Sequence, residues 1–231
     1  MAEIKIPSND GKGEFMAYVA KPAKAPAAVI IVIQEIFGIN KELREKCDDL
    51  AKLGYIAVAP DLFWRIQPGI SLVDSIPEQL ERAFGLFGEF DIKKGMDDLK
   101  ATLKASRDID GGNGKVGCVG YCLGGKLAYM MAVQTDVDAS VSYYGVGLQD
   151  MLDDGKKIKK PLLLHIAEED QFVPPEAQDK IIAAFEDHDN VYTYSYEGVN
   201  HAFARKPGIN YNEQAATLAN QRTKDFLQQN L

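Results

Sequence analysis

The sequence predicts an α/β fold: a mostly parallel, doubly wound sheet with helices on both faces. Three observations carry this. Continuous β-branched runs such as Ala27–Gln34 (AAVIIVIQ) mark strands buried on both faces. Such runs alternate with stretches of helical apolar spacing through most of the chain, which is the arrangement of parallel sheets. At Val116–Gly125 (VGCVGYCLGG) a strand, a tight glycine turn and a helix follow one another without a gap.

Taken in order, Glu3–Ile6 and Glu14–Val19 read as an edge hairpin joined by the turn Ser8–Gly13. A Pro- and Ala-rich loop, Lys21–Pro26, leads into the buried strand Ala27–Gln34. Asn40–Leu53 has helical spacing and stops at Gly54, and Tyr55–Ala59 is another buried strand. Leu62 to Phe90, rich in Gly, Pro and aromatics, reads as a long loop with a short helix from Pro77. Excursions of that length tend to be lids or pocket walls. Asp91–Arg107 is a helix, followed by a glycine turn at Asp110–Gly114. Beyond the central stretch come strands Ala139–Tyr144 and Pro161–Ala167, with a Lys-rich connection between them. A helix Pro175–Asp187, a strand Tyr192–Glu197 and a closing helix Asn212–Leu227 follow. No internal boundary is apparent, so a single domain, 1–231, is expected.

A net charge of −8 argues against nucleic acid or an anionic membrane as partner. No apolar run reaches the roughly 18 residues of a membrane span, and no signal peptide is expected. Three cysteines without metal-ligand spacing point to a reducing cytoplasm, with no disulfide framework and no metal.

The central stretch carries the chemistry. Gly-x-Cys-x-Gly-Gly at Gly120–Gly125 is the nucleophile elbow Gly-x-Ser-x-Gly with sulfur in place of oxygen. A strand Lys115–Val119 runs into a turn centred on Cys122, and a helix runs from Lys126 to about Gln134. Such a turn lifts one side chain above the sheet's carboxyl edge in a strained conformation. Gly120 and Gly124 are expected where a Cβ would collide. The helix N-terminus favours negative charge on the thiol. Cys118, mid-strand, and Cys47, on a helix, read as buried small hydrophobes.

A nucleophile of this kind needs a base, and the base needs an orienting carboxylate. His165 lies within a strand and reads as a satisfied core group, while His188 sits in a charged surface loop. His201 follows the last strand and is the expected base. Asp170 ends a strand–helix turn and is the expected acid, with Glu168 and Glu169 as rivals. In a sheet of this class ligands sit at the strands' carboxyl ends. Glu35, Asp61, Cys122, Tyr144, Asp170 and His201 should therefore converge on one face.

Several motifs together resemble the dienelactone hydrolase (carboxymethylenebutenolidase) family, over essentially the full length. They are Gln34-Glu35-Ile36-Phe37-Gly38, Pro60-Asp61-Leu62, the elbow Gly120–Gly125, Tyr143-Tyr144-Gly145 and His201-Ala202-Phe203-Ala204-Arg205. The resemblance implies a single-domain α/β-hydrolase fold, a Cys-His-Asp triad, no cofactor, and hydrolysis of a dienelactone to maleylacetate through a thioester, in the breakdown of (chloro)catechols. It implies Cys122 as nucleophile, His201 as base and Asp170 as its orienter, with the backbone N–H groups of Ile36 and Leu123 as oxyanion hole. Glu35 would be held by Arg205 until substrate releases it to take the thiol proton. Substrate binding would fall to Arg205, Arg82, Tyr144, Phe37 and Phe87.

Three departures concern the pocket wall. The family's other carboxylate-binding arginine falls at Leu80, with Arg82 two residues on, well over a quarter turn around a helix. Phe84 and Phe87 stand where tyrosine and tryptophan are familiar, and Ala202 replaces a serine. These bear on substrate identity rather than on the chemistry. The expected protein is a cytoplasmic, monomeric hydrolase of a small anionic lactone or ester. A broader carboxylesterase or thioesterase acting on neutral substrates is one alternative. A non-catalytic binding protein with a redox-sensing thiol is another.

Overall fold

Alternation of polar and apolar residues opens the fold with an antiparallel edge. Strands β1 (Ala2–Pro7) and β2 (Glu14–Ala20) pair from Ala2↔Val19 to Pro7↔Glu14. The computed structural model describes residues 2–231. Strands β3 (Ala27–Ile33), β4 (Ile56–Pro60), β5 (Gly112–Tyr121), β6 (Ala139–Tyr143), β7 (Leu162–Ala167) and β8 (Val191–Tyr196) complete an eight-stranded sheet of order β1-β2-β4-β3-β5-β6-β7-β8. The β3–β4, β6–β7 and β7–β8 pairs are parallel, and the β2–β4 pair is antiparallel. Helices α1 (Lys41–Lys52), α2 (Pro77–Glu89), α3 (Ile92–Arg107), α4 (Leu123–Gln134), α5 (Leu152–Gly155), α6 (Pro175–Phe185) and α7 (Glu213–Asn230) alternate with them. The α/β architecture with a mostly parallel sheet is as the sequence predicts.

The chain forms two compact units, the first ending at Cys118 and the second running from Val119 to Leu231. In the first, every residue of β3 is buried, which is why its sequence is unbroken by polar groups. Helix α1 is capped by Asn40, whose Oδ1 accepts from the Leu43 amide at 2.9 Å, and ends before Gly54 at φ 101°. Buried Asp98 on α3 is held in a bidentate grip by Arg65 at 2.8 and 2.9 Å, with Trp64 Nε1 at 2.8 Å. The loop after β4 is pinned by the Asp61 carboxylate, which accepts from the amides of Phe63 at 3.1 Å and Gly69 at 2.8 Å. Helix α2 is longer than a short helix, because Pro77 at its first turn starts thirteen residues of favourable spacing.

In the second unit the register sets Tyr143, His165 and Tyr194 side by side across β6, β7 and β8. The apolar core beyond it includes Tyr129, Leu148, Leu162, Leu164, Ile181 and Phe185. The Lys-rich connection is not a plain loop. It holds a 3-10 turn, Leu148–Asp150, and the short α5. Around the predicted Asp110–Gly114 turn the chain is already entering β5 at Gly112, so that strand is ten residues long rather than five.

Candidate active site

β5 runs to Tyr121 and α4 starts at Leu123, so Cys122 alone makes the turn. The tight turn centred on Cys122 is as expected, but the strand runs past Val119 to Tyr121 and the helix begins at Leu123 rather than Lys126. Cys122 adopts φ 56° and ψ −114°, a conformation costly for any residue with a Cβ. Its amide donates to the Tyr143 carbonyl at 3.0 Å, and its carbonyl accepts the first bond of α4 from Lys126 at 3.1 Å. A Cβ on Gly120 would fall 1.9 Å from the Gly124 carbonyl oxygen, so strand and helix close upon each other there. Gly125 is crowded as well, since a Cβ there would fall 2.6 Å from the Tyr143 oxygen. Cys122 is half-buried, whereas Cys47 and Cys118 are buried. Burial pushes the Cys47 thiol far up, out of reach of ionisation.

The loop after β7 delivers Asp170, buried, while Glu168 and Glu169 are exposed. The loop after β8 turns at Gly198 and delivers His201, also buried. His201 Nδ1 lies 2.8 Å from Asp170 Oδ2, and Asp170 Oδ1 accepts from the Phe172 amide at 2.9 Å. Nε2 of His201 is buried without a formed hydrogen bond. Burial alone would lower the His201 pKa. Attraction to Cys122 and the hydrogen bond to Asp170 outweigh it and raise the value to about 10.

Two residues that sequence reasoning passed over shape this site. Asn200 Oδ1 accepts from the His201 amide at 2.6 Å and from the Gln171 amide at 3.2 Å, joining the two loops. Phe172, 43% exposed, meets the imidazole edge-on at 4.8 Å between ring centres. Tyr144 walls the other approach at 5.1 Å, held in place by its amide bond to the His165 carbonyl at 2.8 Å. An asparagine directly before the histidine was the one visible hint of the first. The second gives no signal in a single sequence.

The remaining predicted residues stand as follows. Leu123 is the buried first residue of α4. Arg205 is partly buried, its amide bonded to the Ala202 carbonyl at 3.0 Å. In the first unit, Glu35, Ile36 and Phe37 are buried just beyond β3. Phe87 is 42% exposed on α2. Arg82, on the same helix, is engaged by Glu89 at 3.0 Å, a partner the sequence reading did not foresee. His165 is the satisfied core group expected, bonded through both ring nitrogens to Tyr196 and Thr223. Among the described residues no group of three or more His, Cys, Asp or Glu side chains could hold a metal ion. No helix among them is long and apolar enough to cross a membrane.

The family model for dienelactone hydrolase matches residues 15–231. The chain belongs to the dienelactone hydrolase family. A carboxymethylenebutenolidase of Pseudomonas putida is 44% identical over 224 residues, covering 97% of this chain and 94% of that one. A protein of Azospirillum brasilense, provisionally given the same name, is 47% identical over 233 residues, covering 100% of both. Among solved structures, a dienelactone hydrolase-like promiscuous phosphotriesterase from metagenomic libraries superposes with a TM-score of 0.81 at 21% identity, covering 99% of this chain and 98% of that one. That likeness bears on the fold alone. As a member of the dienelactone hydrolase family, the protein is a hydrolase, and Cys122, His201 and Asp170 have the chain order of α/β-hydrolase triads.

Proposed function

We propose that the protein opens a small anionic enol-lactone, dienelactone to maleylacetate, by acyl transfer through Cys122. The thiolate attacks the lactone carbonyl, and the ring C–O bond breaks with the enolate oxygen leaving. The acyl group stays on sulfur as a thioester. The leaving enolate takes the proton carried by the His201 imidazolium, and the neutral ring then deprotonates a water, which attacks the thioester carbonyl and releases the Cys122 thiolate beside the re-formed imidazolium. The observation that supports this most is the Asp170–His201 bond of 2.8 Å beside a cysteine held at φ 56°.

The roles of Glu35 as acceptor of the thiol proton, of the Ile36 and Leu123 amides as oxyanion donors, and of Arg205 as carboxylate binder follow the family resemblance. Tyr144, Phe37 and Phe87 are assigned to the pocket wall on the same ground. The setting proposed is a reducing cytoplasm, in catabolism of (chloro)catechols, with the chain acting as a monomer. The three free cysteines accord with such a setting.

A broader carboxylesterase acting on neutral substrates is the second reading. The engagement of Arg82 by Glu89 favours it, since one nominated cation is already paired. Loss of dienelactone absorbance on adding purified protein, measured beside a neutral aryl ester, separates the two. Arg205→Ala should cut kcat/KM for the carboxylated lactone far more than for the ester, because removing one partner of a charge pair commonly costs about 2–5 kcal/mol. Equal losses on both substrates would remove the anion-binding role.

A further inference from the structure

Behind the elbow lies a chain of buried polar side chains that the hydrolytic reading does not use. Tyr196 Oη is 2.7 Å from His165 Nδ1, and His165 Nε2 is 2.9 Å from Thr223 Oγ1. Thr223 Oγ1 is 2.6 Å from Tyr143 Oη, which donates to Asn220 Oδ1 at 3.0 Å. The members come from β6, β7, β8 and α7, between 3 and 80 positions apart in sequence, and all belong to the second unit.

The donor and acceptor inventory gives this chain one direction. Tyr143 has a single hydroxyl proton, spent on Asn220, so its oxygen must accept from Thr223. Thr223 then has no proton left for His165, so its oxygen accepts and His165 carries hydrogen on Nε2. Nδ1 is therefore an acceptor, and Tyr196 donates to it. At the outer end Arg222 lies over the rings of Tyr194 and Tyr196, at 3.9 and 5.3 Å, beside a groove of about 320 Å³. A guanidinium can only donate, so it favours the Tyr196 proton turned inward. A donor-only group at one end and the Asn220 amide oxygen at the other both favour this direction.

Two inner members of the chain meet the elbow and its wall through their backbones. Tyr143, whose hydroxyl lies in it, offers the backbone carbonyl that takes the Cys122 amide. His165, at its centre, offers the carbonyl that takes the Tyr144 amide, and Tyr144 walls His201. A residue at φ 56° keeps that conformation only where its surroundings over-determine it.

We infer that the relay Tyr196–His165–Thr223–Tyr143–Asn220 positions the elbow, with His165 as its neutral Nε2–H member setting the direction. Thr223 and Tyr143 are thus positioning residues for a reaction they never touch. This rests on the proposal that Cys122 is the nucleophile.

The first measurement is independent of catalysis. Nitrogen NMR of ¹⁵N-histidine-labelled protein should show His165 with hydrogen on Nε2 and none on Nδ1. A hydrogen on Nδ1 overturns the relay. The second uses Thr223→Val, which removes the hydroxyl at nearly constant volume, and Thr223→Ser, which restores it. Thr223→Val should lower kcat on the order of tenfold with KM unchanged, within the hundredfold that a 1 Å misplacement can cost. Alkylation of Cys122 should slow in parallel, and Thr223→Ser should recover both. Should Thr223→Val not fold, Tyr143→Phe gives the same reading. A variant that loses only melting temperature, with kcat and alkylation intact, defeats the inference and leaves a structural role. Full turnover by Cys122→Ala would instead defeat the nucleophile assignment, so the two failures are distinguishable.

Discussion

His201 Nδ1 and Asp170 Oδ2 stand 2.8 Å apart, and the other oxygen of that carboxylate is clamped by the Phe172 amide at 2.9 Å. A carboxylate fixed from both sides cannot rotate away. With Nδ1 committed to it, Nε2 is the atom left to face a reacting group. The consequences are open to measurement.

The first concerns His201 and alkaline pH. Its native pKa of about 10 lies above the unfolded value of 6.5, so between those values the native state holds a proton the unfolded state has released. This contribution to stability is complete below pH 6.5 and is lost as pH rises through about 10. Urea unfolding should show stability falling across that window, with a shallower slope in Cys122→Ala, which lacks the attracting sulfur. Identical slopes in the two proteins would show that Cys122 does not hold the proton on His201.

His165 should act in the opposite sense. Burial, aided by the positive charge of Arg222, lowers its pKa to about 3. Its neutral state is stabilising above pH 6.5, and that contribution is lost as pH falls toward 3. His165→Gln, less stable overall, should therefore show a flatter acid limb than the parent protein in the same unfolding series. A limb of undiminished steepness would assign acid unfolding to the carboxylates alone.

Cysteine substitutions separate the elbow from its neighbours. Cys122→Ala should abolish hydrolysis, and Cys122→Ser should retain little, because a hydroxyl is far harder to ionise than a thiol. Cys118→Ala, in the buried strand just before it, should keep its turnover and lose roughly 1 kcal/mol of stability from the vacated volume. Appreciable turnover by Cys122→Ala would refute the nucleophile.

Gly120 and Gly88 offer a matched pair for the backbone. Gly120→Ala drives a Cβ into the Gly124 carbonyl, which neither strand nor helix can yield, and should cost about 3 kcal/mol or yield no soluble protein. Gly88→Ala, inside α2 with open space around it, should gain about 0.4–1 kcal/mol. Denaturant midpoints decide it. A tolerated Gly120→Ala would mean that the close approach can relax.

Much of this was legible in the chain. Buried strands announce themselves by unbroken apolar runs, and the elbow by glycines around one cysteine between strand and helix. The pairing of His201 with Asp170 could be anticipated because each follows a strand. What stayed hidden depends on tertiary neighbours. Phe172 is an exposed aromatic in a charged loop, and only the fold brings its ring to the imidazole. The relay members are unremarkable tyrosines and threonines until β6, β7, β8 and α7 meet. Arg82 looked available because its partner lies seven positions on, beyond the usual i+4 reach of helical pairs.

Asn200, with one oxygen taking the amides of both Gln171 and His201, has a further consequence. The same oxygen braces the His201 backbone and ties its loop to the one that carries Asp170, so loss of this one side chain would slacken both holds together.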